Sequence, residues 1–294
     1  MVSNPKESYM EHIGIETSAM LVELNISTWS ARKLDHKVSQ QIDADHGARC
    51  AAGNYHKKLL AGNNALEAVH RYSARVRLWH AMQTLPWSDK GPRLITAAVF
   101  AGGYKSKLDE HQRNWESLLK NFLSTYDPQA AAFALGSLFN REDYPEPEDL
   151  ASKFAFRYHF SPVPTSGDFR IDINRTMREE LERSYQDACS KRVQEAMRDV
   201  WDRLYKQLQH MSERLSDDAD GNRKIFHSTL ITNATELCDL LKNLNVTNDE
   251  KLEYARQDLY RAIVGVDASS LKESDELRSG LKRKVDDILS KFDF

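Results

Sequence analysis

The spacing of hydrophobic positions changes several times along the chain. Val22-Glu23-Leu24-Asn25-Ile26-Ser27 alternates apolar with polar residues, which predicts a half-buried strand within residues 20–28. From Ala31 to about Leu60 helix formers dominate and predict a helix, interrupted near Gly47 or Gly53. A Gly62-Asn63-Asn64 turn then leads to a second helix, Ala65 to Leu85, stopped by Pro86. So short a connection predicts that these two helices lie antiparallel. The apolar run Leu94–Phe100 reads either as a buried strand or as the start of a helix, and Gly102-Gly103 breaks it. Lys107 to Tyr126 is a predicted helix with Leu108, Trp115, Leu118, Leu119, Phe122 and Leu123 largely on one side. Pro128 opens a further helical segment ending near Asn140, and Arg141–Asp149 is a charged connection with two prolines.

Alternation returns at Phe154, Phe156, Tyr158 and Phe160, and again at Phe169, Ile171 and Ile173. Two one-faced strands follow, joined across Ser161–Asp168 as a wide hairpin or placed apart in the same sheet. The longest helical signal runs from Asn174 to about Ser216, a span of roughly 60 Å at about 1.5 Å per residue. Its apolar steps are threes and fours with one five, not the strict heptad of a leucine zipper. A polar turn at Asp217–Asn222 precedes three more helices at about 224–243, 248–263 and 270–291, with Asn248 as a candidate N-cap. The predicted fold is α+β and helix-dominated. A small antiparallel sheet with packed helices occupies 1–173, and a long, coiled-coil-like helical arm with later helices folding back along it occupies 174–294.

Composition narrows the class. Charged residues make up 29% of the chain and hydrophobic ones 40%, a globular balance and not that of a disordered chain. No stretch approaches the ~20 apolar residues of a membrane span, and Met1–Glu16 lacks the apolar centre of a signal peptide. Cys50, Cys189 and Cys238 are odd in number and far apart, which predicts a reducing, cytoplasmic location. The net charge of −3 conceals a division. Residues 31–107 hold thirteen Lys/Arg against five Asp/Glu, whereas 108–150 hold three against nine. Either the two segments pair with each other inside one fold, or they meet oppositely charged partners.

Candidate chemistry is incomplete throughout. Ala101-Gly102-Gly103-Tyr104-Lys105-Ser106 lacks the first glycine of a phosphate-binding loop, and Tyr104 separates glycine from lysine. His36, His46 and His56 recur every ten residues, too far apart on one helix to share an ion, and Asp43 and His46 alone do not make a metal site. Cys50, beside Arg49, is expected to be a buried small residue, not a reactive thiol. No catalytic residue, cofactor or metal is assigned. The basic residues Lys57, Lys58, Arg71, Arg75 and Arg77, with Trp79 nearby and Arg93 beyond the turn, are the candidate contact for nucleic acid or an acidic partner. Arg71 and Arg75, four apart, share one helix face.

Leu24-Asn25-Ile26-Ser27-Thr28-Trp29-Ser30-Ala31-Arg32-Lys33, the later Pro162-Val163-Pro164-Thr165-Ser166-Gly167-Asp168-Phe169-Arg170 and the helical C-terminal half resemble a phage and mobile-element protein family of unknown function. Members of that family are often encoded near a MoxR-like AAA+ ATPase and a von Willebrand A-domain protein. The resemblance implies a non-enzymatic adaptor or self-assembling partner of such an ATPase system, in the cytoplasm of a bacterial host. The competing expectation is a nucleic-acid-binding accessory factor using 31–107.

Overall fold

The computed structural model describes residues 15–164, 174–218 and 220–291. The elements run α1 (Ile15–Ser18), β1 (Ala19–Ser27), β2 (Arg32–Leu34), α2 (His36–Asp45), β3 (His56–Lys58) and α3 (Asn64–Gln83). There follow β4 (Arg93–Thr96), α4 (Ala97–Val99), α5 (Lys105–Ser124), α6 (Pro128–Leu135), α7 (Pro147–Ser152) and β5 (Ala155–Pro162). The C-terminal part is helical: α8 (Arg175–Leu215), α9 (Thr229–Leu244), α10 (Glu250–Ile263), α11 (Ala268–Glu273) and α12 (Asp275–Ser290). This is a helix-dominated α+β fold, as the spacing predicts.

β1 is the central strand of a three-stranded sheet in the order β4-β1-β5. It pairs antiparallel with β4, Ala19 opposite Thr96 and Val22 opposite Arg93. Along its second half Val22 and Ile26 are buried while Glu23, Asn25 and Ser27 are exposed. The two readings of Leu94–Phe100 are both realised in turn. Leu94 and Ile95 are buried strand residues, and Thr96 ends the strand by accepting the Val99 N–H as the cap of α4. Gly103 then takes φ 98°, a left-handed conformation open to glycine without strain, and α5 starts two residues on. The strand expected at Phe169–Ile173, and with it the far side of the hairpin, lies outside the described residues.

One predicted element is corrected. Residues 31–60 do not form a long helix: β2 and β3 pair antiparallel, Arg32 opposite Lys58 and Leu34 opposite His56, with only α2 between them. Asp35 caps α2 through the Val38 N–H, and Gly47 at φ 66° ends it. Ser39 Oγ, on the buried side of α2, accepts the Tyr55 N–H, and Asp35 N–H donates to Tyr55 O. These long-range bonds draw 55–58 back beside β2, so the antiparallel helix pair does not arise. Cys50, expected to be buried, is exposed in the same loop. The cap of α10 is Asp249, not Asn248. Asp249 accepts the Lys251 and Leu252 N–H groups, while Asn248 sits at φ 52° just before it.

The division expected at 173/174 is linear, whereas the compact units are discontinuous. One comprises 1–23, 81–104 and 159–294, and the other 24–80 and 105–158. In the first, Ala196, Val200, Leu204, Leu208, Met211 and Leu215 of α8 form a buried stripe that packs on α9 and α12. The buried Arg278 of α12 gathers the carbonyls of Arg214, Leu215, Ser216 and Lys224 and lies 5.5 Å from the Phe226 ring, so its guanidinium caps the C-terminal end of α8. The N-cap of α10 is tied back to α8 by Trp201 Nε1–H donating to Asp249 Oδ2 at 3.0 Å.

In the second unit, Leu66, Val69, Ser73 and Val76 of α3 face inward together with Leu108, His111, Trp115 and Phe122 of α5. Trp115 Nε1–H donates to Ser73 Oγ at 2.8 Å, and Ser73 in turn donates to Val69 O, so no polar atom of that pair is left unmade. Phe154 and Phe156 close the same core, against Phe122 and Trp115 respectively.

Candidate functional site

The six basic residues picked out by the sequence do not form one surface. Lys57 is buried, its Nζ 2.8 Å from Asp143 Oδ2 and 3.4 Å from Asp35 Oδ2, and it donates to Leu138 O. Burial alone would lower its pKa, but hydrogen bonds and charge from Asp143 and Asp35 outweigh it and hold the ammonium above its ordinary value. With Lys33, 3.9 Å from Asp143, this joins the basic 31–107 segment to the acidic 108–150 segment within one unit. Of the two charge readings, the internal pairing is the one realised at these lysines.

Arg93 is also spent on structure. Its Nε–H donates to Thr84 Oγ1 at 2.7 Å and its Nη2 reaches Ala81 O and Thr84 O. Arg203 of α8 donates to Ala81 O, Met82 O and Thr84 O, with Asp199 2.6 Å away. Two guanidiniums thus satisfy the carbonyls at the end of α3. Burial, and then neighbouring Arg203, lower the Arg93 pKa. Arg77 donates to Ile26 O at 2.6 Å. Lys58, Arg71 and Arg75 are exposed; Arg75 lies 4.5 Å over the Tyr72 ring, and no carboxylate pairs with Arg71 or Arg75 among the described residues. Leu78, one turn further on α3, is 63% exposed, so this face points outward.

A second surface lies on α8, where sequence reasoning saw only a long helix. No side chain between 175 and 195 is buried, although Met177, Leu181, Tyr185 and Ala188 recur at helical spacing. On an ideal helix these four are centred about 130° round the axis from the buried stripe that begins at Ala196. The apolar side of α8 therefore changes face midway, and the first half does not continue the seam against α9 and α12. Tyr185 O–H donates to Pro164 O, and Arg192 stacks 5.6 Å over Trp87. Beyond them, Met177 is 54% and Leu181 38% exposed. The face switch is visible in the spacing once the two halves are projected separately.

Among the described residues no group of three His, Cys, Asp or Glu side chains is arranged to hold a metal ion, and no helix is long and apolar enough to cross a membrane. His36 is the first residue of the short α2, His46 follows its last, and His56 is in β3. Comparison with protein-family models, curated proteins and solved structures returned no match.

Proposed function

We propose that this protein acts by binding another protein through the first half of α8, without catalysis of its own. The observation that carries the reading is the stretch 175–195, which buries no side chain yet presents Met177 and Leu181 on a face of their own. In proteins most helical stability comes from packing an apolar face, so a partner helix or groove that covers this one stabilises it. The resemblance to phage and mobile-element proteins makes a AAA+ ATPase the first partner to try, with a second copy of the chain as the next.

A photo-crosslinking residue placed at Met177 or Leu181, with another at the exposed Glu213 as control, tests this in the native host. A single adduct formed at 177 and 181 but not at 213, and lost in the Met177→Glu/Leu181→Glu double variant, is the expected result. Equal labelling at all three positions, or none, would overturn the reading.

Arg71 and Arg75, exposed and with no carboxylate partner among the described residues, favour a second reading, nucleic-acid binding by α3. It requires an affinity for a single-stranded oligonucleotide that falls steeply with salt and that the Arg71→Ala/Arg75→Ala double variant loses.

A further inference from the structure

His111 occupies a core position of α5, three residues after Leu108 and four before Trp115, yet it is polar and titratable. Its Nδ1 is 3.0 Å from Tyr72 Oη, its ring centroid is 4.7 Å from that of Trp79, and both neighbours belong to α3. Its Nε2 is buried with no hydrogen-bond partner among the described residues. If Tyr72 O–H donates to Nδ1, then Nε2 carries a proton with no acceptor among the described residues; in the other tautomer its lone pair receives no donor. One unmade bond is tolerable while the ring is neutral. An imidazolium has N–H on both nitrogens, so Nδ1 must become the donor to Tyr72 and Nε2–H still has no acceptor. The charged groups facing it are Arg75 on α3 and Lys107 and Glu110 on α5, two cations against one anion.

We propose that the Tyr72–His111–Trp79 contact is a proton-sensitive latch between α3 and α5, closed when the imidazole is neutral and loosened in acid. Burial first, then Lys107 and Arg75, lower the His111 pKa, and Glu110 opposes them only in part. The sign follows. The folded state binds the proton less readily than the unfolded chain, whose histidine titrates near 6.5. The latch is therefore at full strength above that value and weakens as pH falls through the folded pKa.

Hydrogen exchange on the full-length chain, followed at α3 and α5 from about pH 7.5 to about pH 5 and corrected for intrinsic exchange rates, tests this. Protection should fall several-fold more in the wild type than in His111→Gln, which stays neutral. Equal acid dependence in the two chains, or none in the wild type, overturns the proposal. Should His111→Gln fail to fold, the NMR titration of the wild-type imidazole decides. A midpoint below about 6.5 that coincides with lost α3 and α5 protection supports the latch, and a midpoint at or above it refutes the latch.

Discussion

Removing the Lys57 ammonium would leave Asp35 and Asp143 close together without their shared counter-charge, and Leu138 O without its donor. Lys57→Met is therefore expected to lower the melting temperature by several degrees near neutral pH, measured by circular dichroism, although methionine fills much of the same space. From sequence Lys57 is a candidate contact for an outside partner or for the acidic 108–150 segment, and which of the two is not legible locally because its two carboxylates come from positions 35 and 143. Arg278 makes the same point in the other unit. It lies in a charged helix, yet it is buried and gathers four carbonyls. Arg278→Ala is expected to cost about 3 kcal/mol or more in urea unfolding, since those carbonyls lose a charged donor in a buried site. His111 was within reach of the sequence, for it falls on the Leu108–Trp115–Phe122 stripe that defines the inner face of α5. A polar residue on such a stripe is easily passed over.

At the scale of the element, α8 separates two kinds of apolar residue that a list of helical positions runs together. Leu208 is fully buried on the stripe of α8 that packs on α9 and α12, whereas Met177 and Leu181 stay exposed and join no core among the described residues. Leu208→Ala should destabilise the protein by about 2–5 kcal/mol. Met177→Glu/Leu181→Glu should leave stability within about 0.5 kcal/mol, because an exposed helix position loses little when it becomes polar. A large loss in the double variant would mean that the stripe is covered within the chain itself. The failed prediction at 31–60 also belongs here. Helix propensity is a weak preference, and over this stretch it is outweighed by Asp35 and Ser39 bonding across sixteen to twenty residues to Tyr55.

Across the whole molecule, charge follows the compact units. Counted along the sequence, the unit of 24–80 and 105–158 holds sixteen Lys/Arg against thirteen Asp/Glu, and the other holds twenty-five against thirty-one. The unit of 24–80 and 105–158 is net +3 and the unit of 1–23, 81–104 and 159–294 net −6. The large imbalance between 31–107 and 108–150 is thus mostly folded into one unit, where Asp143 meets Lys33 and Lys57. A residual +3 supports only weak attraction to polyanions, so any binding to DNA should disappear near physiological salt unless Arg71 and Arg75 add specific contacts. Gel-shift titrations at two salt concentrations would show this.

Periodicity by itself determined the class of fold, the central strand β1, strand β5, helices α3, α5 and α8, and the polar turn before α9. Each is set by a local repeat that any window of the chain displays, because one face of a strand or helix must be apolar to be buried. Tertiary structure alone decided which charges are available. Lys57 and Arg93 are candidate contacts for an outside partner by sequence, and both, like Arg203 and Arg278, are held by carbonyls or carboxylates from distant segments or a neighbouring turn. It also decided that the two halves of α8 face different ways into different surroundings. The physical reason is that burial of a charge depends on partners brought from far along the chain, and a single sequence does not say which segments will meet.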